Sequence, residues 1–458
     1  MQSRRDQVDA QSYLLTRLTS ALVRAEPDAL ELPTRRDSRG LIAGILLALT
    51  MLAGVAIWAL ISSGGSTAWR QPGKLIIDRS TGSRFLLVVG ELRPVRNVAS
   101  ARLAVDGAVD PVTVAGSKLA RVPRGAPLGT VDAPDLLPAP DHLNVGVWRA
   151  CAGTDPAVAV RLDIGGPPAE RRITGDAGLL VSAAGRDYLL WHGRRLAMGR
   201  PWAAAVLGYG ATTPVPVDEA WLELVPAGPD MEPVDVPGRG TPGPQVGGRP
   251  AALGQLFAAP AAGGTGTVHY LLLPAGLTPL STTQAALALA EAGGAPELPI
   301  TPAELAAGPR TAVGAAQDEL PAVPPPLRAP GHGEAVCVES AGHPDAGHPD
   351  AGHPDAGHPD TESLDVVLAA PPAAPGTRAA GGVAVSVRPR GGALLVARAD
   401  VAAKDQPALL VDGVGIRYPL AGDAVRALGF QVERATVVPP RLLGLLPAGP
   451  LLTTPEGG

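Results

Sequence analysis

Residues 41–62 read LIAGILLALTMLAGVAIWALIS, 22 residues without a charge or a proline. At about 1.5 Å of rise per residue, a helix of this length crosses a hydrocarbon core of about 30 Å. The apolar runs beyond residue 63 are short and are cut by Gly, Pro or charge, so residues 63–458 are expected to lie wholly on one side of that membrane. A cleaved signal peptide is the competing reading, because Ser66-Thr67-Ala68 resembles a small-residue cleavage site. The 40 residues before the run are too long for an n-region, and the run itself is too long for an h-region, which favours an uncleaved anchor. Arg35, Arg36 and Arg39 flank its N-terminal side, against Arg70 just beyond the other end; Lys74 and Arg79 follow farther out. The positive-inside tendency then predicts residues 1–40 in the cytoplasm, the span at 41–62, and residues 63–458 outside an inner membrane.

Two cysteines, Cys151 and Cys337, both fall on the side expected to be outside. An even count in an oxidising compartment points to one disulfide, and two buried free thiols remain the alternative. Neither has a CxxC neighbour, which argues against a metal pair. The net charge of −5 argues against a nucleic-acid partner. With 57 Gly, 50 Pro and 3% aromatic residues, the chain reads as loop-rich and mainly β, or as the product of a genome biased toward Ala, Gly, Pro and Arg codons.

Residues 7–25 carry Leu14, Leu15, Leu18, Ala21 and Leu22 at helical spacing, with Arg17 and Arg24 off the stripe. Such a stripe needs a partner. Residues 1–40 hold seven basic and six acidic residues, a balance that disfavours a polybasic lipid anchor and favours a protein. Leu14, Leu15, Leu18 and Leu22 are the candidate docking residues.

Beyond the span the chain repeats itself. An aromatic followed by aliphatics, a turn and a second apolar stretch occurs at Phe85-Leu86-Leu87, Tyr188-Leu189-Leu190, Tyr270-Leu271-Leu272 and, more weakly, Tyr418-Pro419-Leu420. A closing element reads Val122-Pro123-Arg124-Gly125, Leu224-Val225-Pro226-Ala227-Gly228, Leu305-Ala306-Ala307-Gly308-Pro309 and Leu446-Pro447-Ala448-Gly449. The aromatic lies 38 residues before the proline in the first two copies and 29 in the fourth, while the third copy has Ala306 where the proline would stand. Each copy reads as a strand pair, a short helix such as 97–103 or 283–292, and a Pro-Gly turn. The aromatic is read as a core anchor. A unit so small must pack on its neighbours. The expected architecture is α+β and mainly β: four modules near 75–130, 180–235, 265–312 and 408–453, around a central β domain from 131–179 and 361–407.

Two segments break the pattern. Residues 238–250, GRGTPGPQVGGRP, read as a flexible connection, and residues 321–360 as a disordered His/Pro tract. The latter ends in four copies of AGHPD carrying His343, His348, His353 and His358 every five residues, a period matching neither helix nor strand. Weak binding of a transition metal is chemically open to such imidazoles, but no fixed tetrahedral site follows.

No phosphate-binding loop is present: Gly73-Lys74-Leu75 lacks the glycine spacing and the Ser/Thr, and Gly264-Thr265-Gly266 lacks a third glycine. Neither HExxH nor GxSxG occurs. His142, His192, His269 and His332 are the histidines outside the tandem tract, which leaves little material for a hydrolase. No catalytic residue, metal ligand or cofactor site is assigned, and the sequence reads as one built for assembly.

Several blocks together resemble the EccB family of type VII (ESX) secretion: Gln11-Ser12-Tyr13-Leu14 with Ala21-Leu22-Val23-Arg24, the single anchor, Trp69-Arg70-Gln71-Pro72-Gly73, Asp78-Arg79-Ser80-Thr81-Gly82, the run from Leu92 to Leu103, and the LPxGP turns. The resemblance runs from about residue 11 to 453. It implies a cytoplasmic N-terminal helix, one transmembrane helix and an elongated extracytoplasmic domain of four modules around a central β domain. It also implies a disulfide that maps onto Cys151 and Cys337. The implied role is a structural subunit linking cytoplasmic motor subunits to a periplasmic channel, with EccC, EccD, EccE and the mycosin protease as partners and a homo-oligomeric state within the complex. Members of the family carry an ATPase label, which the missing P-loop does not support. ATP hydrolysis and peptidoglycan binding are the alternative functions.

Overall fold

The computed structural model describes residues 4–24, 34–63, 67–155, 157–261, 266–311, 319–341, 364–371, 377–397 and 406–454. The chain divides into two compact units, Met1–Gln71 and Pro72–Gly458.

The first unit holds a helix Arg4–Arg24, a helix Thr34–Ser63 and a 3-10 turn Ala68–Arg70. Asp6 in the first turn of the N-terminal helix complements the helix dipole. In the second helix, Gly40–Trp58 has a mean hydropathy of 2.4 and none of it is buried; among the described residues it is the one helix long and apolar enough to cross a membrane. Its Thr50 hydroxyl donates back to the Leu46 carbonyl at 2.8 Å, so the polar group is satisfied within the helix.

The second unit contains a seven-stranded sheet in the order Thr377–Ala379, Val383–Val387, Val158–Gly166, Val147–Asp155, Ala335–Ser340, Asp365–Ala369, Arg171–Arg172. Val383–Val387 runs parallel to Val158–Gly166, and the other neighbours are antiparallel. Four smaller sheets are each built on three consecutive antiparallel strands: Lys74–Asp78, Arg84–Val88 and Glu91–Pro94; Gly178–Ala183, Arg186–Trp191 and Arg194–Ala197; Leu256–Pro260, Thr267–Leu273 and Gly276–Leu280; Ala393–Val396, Ala408–Val411 and Arg417–Ala421. Tight two-residue turns hold several of these hairpins. Val89-Gly90, Ala184-Gly185 and His192-Gly193 all have positive φ at both positions, the backbone that matches the twist of the flanking strands.

A short helix follows each third strand: Val98–Val105, Ala203–Val206, Thr282–Glu291 and Ala424–Ala427. Asn97 caps the first by accepting from Ser100 N, and Ser281 with Gln284 forms a capping box on the third. In the first three sheets the chain then returns parallel beside the first strand, at Asp110–Val114, Val215–Pro216 and Leu298–Pro299; in the fourth, the bridge from Leu395 to Thr436 takes that place.

The opposite edge shows one repeated backbone arrangement. The third-strand N–H groups of Leu92, Arg195, Leu277 and Arg417 donate to the carbonyls of Pro123, Pro226, Pro309 and Pro447, and each same residue accepts from the N–H two positions after that proline. In the third small sheet the proline at this position is therefore Pro309, not residue 306. Aligning Leu305-Ala306-Ala307-Gly308-Pro309 letter by letter with the other closing elements misplaced it, whereas Tyr270 lies 39 residues before Pro309, one more than the 38 of the first two sheets.

Three further expectations are corrected. Ala335–Ser340, inside the tract expected to be disordered, is a fully buried strand of the seven-stranded sheet, because Val336 and Val338 fill one face and Cys337 pairs across the other. The AGHPD copies from His343 onward lie outside the described residues. Residues 238–250 are ordered: Gly240 and Gly243 donate to Leu253 and Ala251, and Val246 is buried in the core of the third sheet. Ala393–Val396 belongs to the fourth small sheet instead of the central one, since its register partner is Ala408–Val411.

Candidate docking and stabilising sites

The helix Arg4–Arg24 leaves its apolar stripe uncovered. Leu14, Leu15 and Leu18 are 58, 62 and 58% exposed, and Leu22 is 83% exposed. Val8, Leu15 and Leu22 recur every seven residues, which brings them to one side of the helix. The hydroxyls of Ser12 and Thr16 bond back to the carbonyls of Asp9 and Ser12, so these polar groups need no outside partner.

The central sheet carries the second site. Cys151 and Cys337 face each other in antiparallel register, both fully buried, and are joined by a disulfide. Two residues along, on the same face, Arg149 faces Glu339. The Glu339 side chain is 1% exposed, and its carboxylate accepts from Arg149 Nε at 3.0 Å and Nη2 at 2.8 Å, from Arg172 Nη2 at 2.9 Å and from Ala169 N at 3.0 Å. Arg149 also donates to the Pro167 carbonyl, and Arg172 pairs with Asp365. A buried carboxylate with this many donors is an anchor for the segment 167–172, which lies over the disulfide face. The sequence reading missed Glu339 and Arg149; the signal was an acid two residues after Cys337 in an otherwise apolar strand, and a base two residues before Cys151.

The repeated aromatics divide. Phe85 and Tyr418 are buried, whereas Tyr188 and Tyr270 are half-buried. The Tyr418 hydroxyl donates to Asp412 at 3.2 Å, and burial pushes both groups above their ordinary pKa values. For Asp412 the backbone N–H groups of Ile416 and Val414 offset part of that rise. The Tyr209 phenol, donating to the Pro325 carbonyl at 3.0 Å, is pushed up to about 12 by burial.

The histidines do not converge. His142 lies 3.6 Å from Asp141, His192 lies 3.9 Å from Asp176, and His269 Nδ1 meets Glu297 at 2.7 Å, each at a separate place. Among the described residues no group of three or more His, Cys, Asp or Glu side chains is placed to hold a metal ion.

Among the described residues the chain combines one helix long and apolar enough to cross a membrane with a separate unit of five sheets that carries one disulfide. A family model described as "Type VII secretion system ESX-1, transport TM domain B" matches residues 1–457, and the chain belongs to this family, EccB. Among curated relatives, the "ESX-3 secretion system ATPase EccB3" of Mycobacterium tuberculosis is 28% identical over 305 residues, 62% of this chain and 55% of that protein. The "ESX-3 secretion system ATPase EccB3" of Mycolicibacterium smegmatis is 30% identical over 298 residues, 62% of this chain and 56% of that protein. The matches thus span about half the length of these relatives. A chain of an intact ESX-5 inner membrane complex is similar in fold, with a TM-score of 0.65 and 23% identity over 99% of this chain and 94% of that one. A chain of an EccB3 dimer from an ESX-3 core complex gives a TM-score of 0.61 and 24% identity over 83% and 98%.

Proposed function

We propose that this protein is a structural subunit of a type VII secretion inner-membrane complex, linking motor subunits in the cytoplasm to an export channel on the far side. The observation that carries this reading is the fold likeness to a chain of an intact ESX-5 inner membrane complex along 99% of the sequence. Residues 1–40 lie in the cytoplasm in this reading, placed there by Arg35, Arg36 and Arg39. The stripe of Leu14, Leu15, Leu18 and Leu22 docks on another subunit, with EccC, EccD and EccE the candidates. Burying several leucines contributes several kcal/mol at about 25 cal/mol per Å², before the cost of ordering. The four small sheets are copies of one module, a reading supported by their shared strand pairing and by the repeated bonds to Pro123, Pro226, Pro309 and Pro447.

The test is co-purification from membranes in mild detergent. Leu15→Asp with Leu18→Asp is expected to release the partners and abolish secretion, while the sheets, which lie in the other unit, stay folded by protease resistance. Partners retained by that variant overturn the docking role. The names of the relatives favour a second reading, ATP hydrolysis. Phosphate release by the purified chain, absent from a mock preparation, would support it.

A further inference from the structure

The charge of the C-terminal unit is unevenly spread. Residues 72–130 carry nine Lys and Arg against four Asp and Glu, a net +5, whereas residues 131–458 carry 21 against 33, a net −12. Part of this basic charge is already partnered: Lys74 pairs with Asp110, Arg84 holds Asp135 through two bonds of 2.6 Å, and Arg102 donates to the Leu428 carbonyl. Arg79, Arg96, Lys118, Arg121 and Arg124 are exposed and form no ion pair among the described residues.

The topology gathers four of the five. Val114 ends the strand on one edge of the first sheet, and Arg124 bridges to Leu92 on the other edge, so residues 115–123 cross the sheet's width. Leu86 faces the helix Val98–Val105 through Ala101; Phe85, its neighbour in the strand, faces the other way, and the Arg124 guanidinium lies 4.4 Å above its ring. The crossing segment therefore covers the face opposite that helix. Leu119 is its buried peg, and Lys118, Arg121 and Arg124 project along it at three-residue intervals. Arg79 joins them where its N–H meets the Val114 carbonyl. Two acids border the segment: Asp78, already occupied by the Ser80 N–H and hydroxyl at 2.9 and 2.6 Å, and Glu91 near Gly125.

We infer that this cationic face rests on anionic phospholipid headgroups of the leaflet next to it. The choice of lipid follows from the tether. Lys74 lies eleven positions after Ser63, the end of the membrane helix, so the start of this sheet stays within about 40 Å of that helix end even with the link fully extended. Anionic lipid attracts each nearby Lys or Arg by about a fivefold gain in occupancy, and the attraction decays within a Debye length of about 8 Å. The inference assumes the membrane anchoring of the proposed function but not its secretion role, and its test reads lipid contact alone.

The full chain is reconstituted in nanodiscs of phosphatidylcholine, with or without phosphatidylglycerol, including a headgroup-attached spin label. A fluorophore is placed by Ser117→Cys, or at a control position by Thr212→Cys; the native cysteines are joined and do not label. Quenching at position 117 is expected to require phosphatidylglycerol and to vanish in about 0.5 M salt. It should also vanish in Lys118→Glu/Arg121→Glu/Arg124→Glu, which removes about a hundredfold of occupancy. Position 212 should stay unquenched. Equal quenching in the two lipid mixtures, or none in the anionic one, overturns the assignment, as it would if the face instead meets an acidic protein. The salt arm leaves the sequence untouched, so misfolding of the triple variant does not rescue the idea.

Discussion

Replacing Glu339 with Gln isolates the energetics of the central sheet. The substitution keeps the shape and removes the charge that faces Arg149 and Arg172. Arg172 is 35% exposed and retains Asp365. Arg149, at 10%, is left with the Pro167 carbonyl and a neutral amide. Stranding one partner of a buried ion pair costs about 3–5 kcal/mol. The Gln carbonyl still accepts from Arg149, which places the expected loss near the lower end, about 3 kcal/mol. Arg149→Met in the same chain removes the stranded charge, so the double variant should recover most of that loss. Denaturant titration of the purified protein with its disulfide intact measures both, followed by the fluorescence of Trp148, which lies in the same strand. If Glu339→Gln costs less than about 1 kcal/mol, or if adding Arg149→Met deepens the loss, the carboxylate is not what holds this face together.

Reducing the bond between Cys151 and Cys337, 186 positions apart, should lower stability by up to about 5 kcal/mol in the chain-entropy account, and alkylation without reductant should label neither thiol. Gly449→Ala would set a Cβ 2.3 Å from the Tyr418 ring and should cost about 2 kcal/mol by denaturation. Thr311→Gly, at the matching place in the third sheet, should cost about 1 kcal/mol or less, because its neighbour there is the smaller Thr278. Asp412 has a folded pKa raised by burial, so its contribution is fully present below its unfolded value of about 4 and is lost as pH rises through the folded value. The stability of the parent relative to Asp412→Asn should therefore fall as pH rises from about 4; a relative stability that grows over that range refutes the burial argument.

What could be read from the sequence was whatever is written in runs of residue type. The apolar run beginning at Leu41 lies within the helix Thr34–Ser63, and the leucine spacing from Leu14 to Leu22 within Arg4–Arg24, because helix periodicity is local. The strand Ala335–Ser340 was lost to its surroundings: a Pro-rich approach and the AGHPD copies flank six residues whose pairing partners sit at 148–151 and 365–369. Glu339 was invisible for the same reason, since its counter-charge is 190 positions away.

The turn of the third small sheet shows how backbone geometry can recur where the sequence pattern does not. The four turn helices begin at Gly116, Glu219, Pro302 and Pro440, each seven residues before the proline that accepts from the third strand. The third of these helices runs two residues longer than the others and takes up the room that a pattern of letters would need for alignment. Proline suits the position physically. It brings no N–H that an edge would leave unpaired, and its carbonyl is free to accept. Two residues on, a side chain must clear the adjacent strand, which demands Gly449 beside Tyr418 and Gly228 beside Leu196 but tolerates Thr311 beside Thr278. The residue type at that point follows from the bulk of its neighbour across the strand, so Thr311 in the third sheet is compatible with the same backbone.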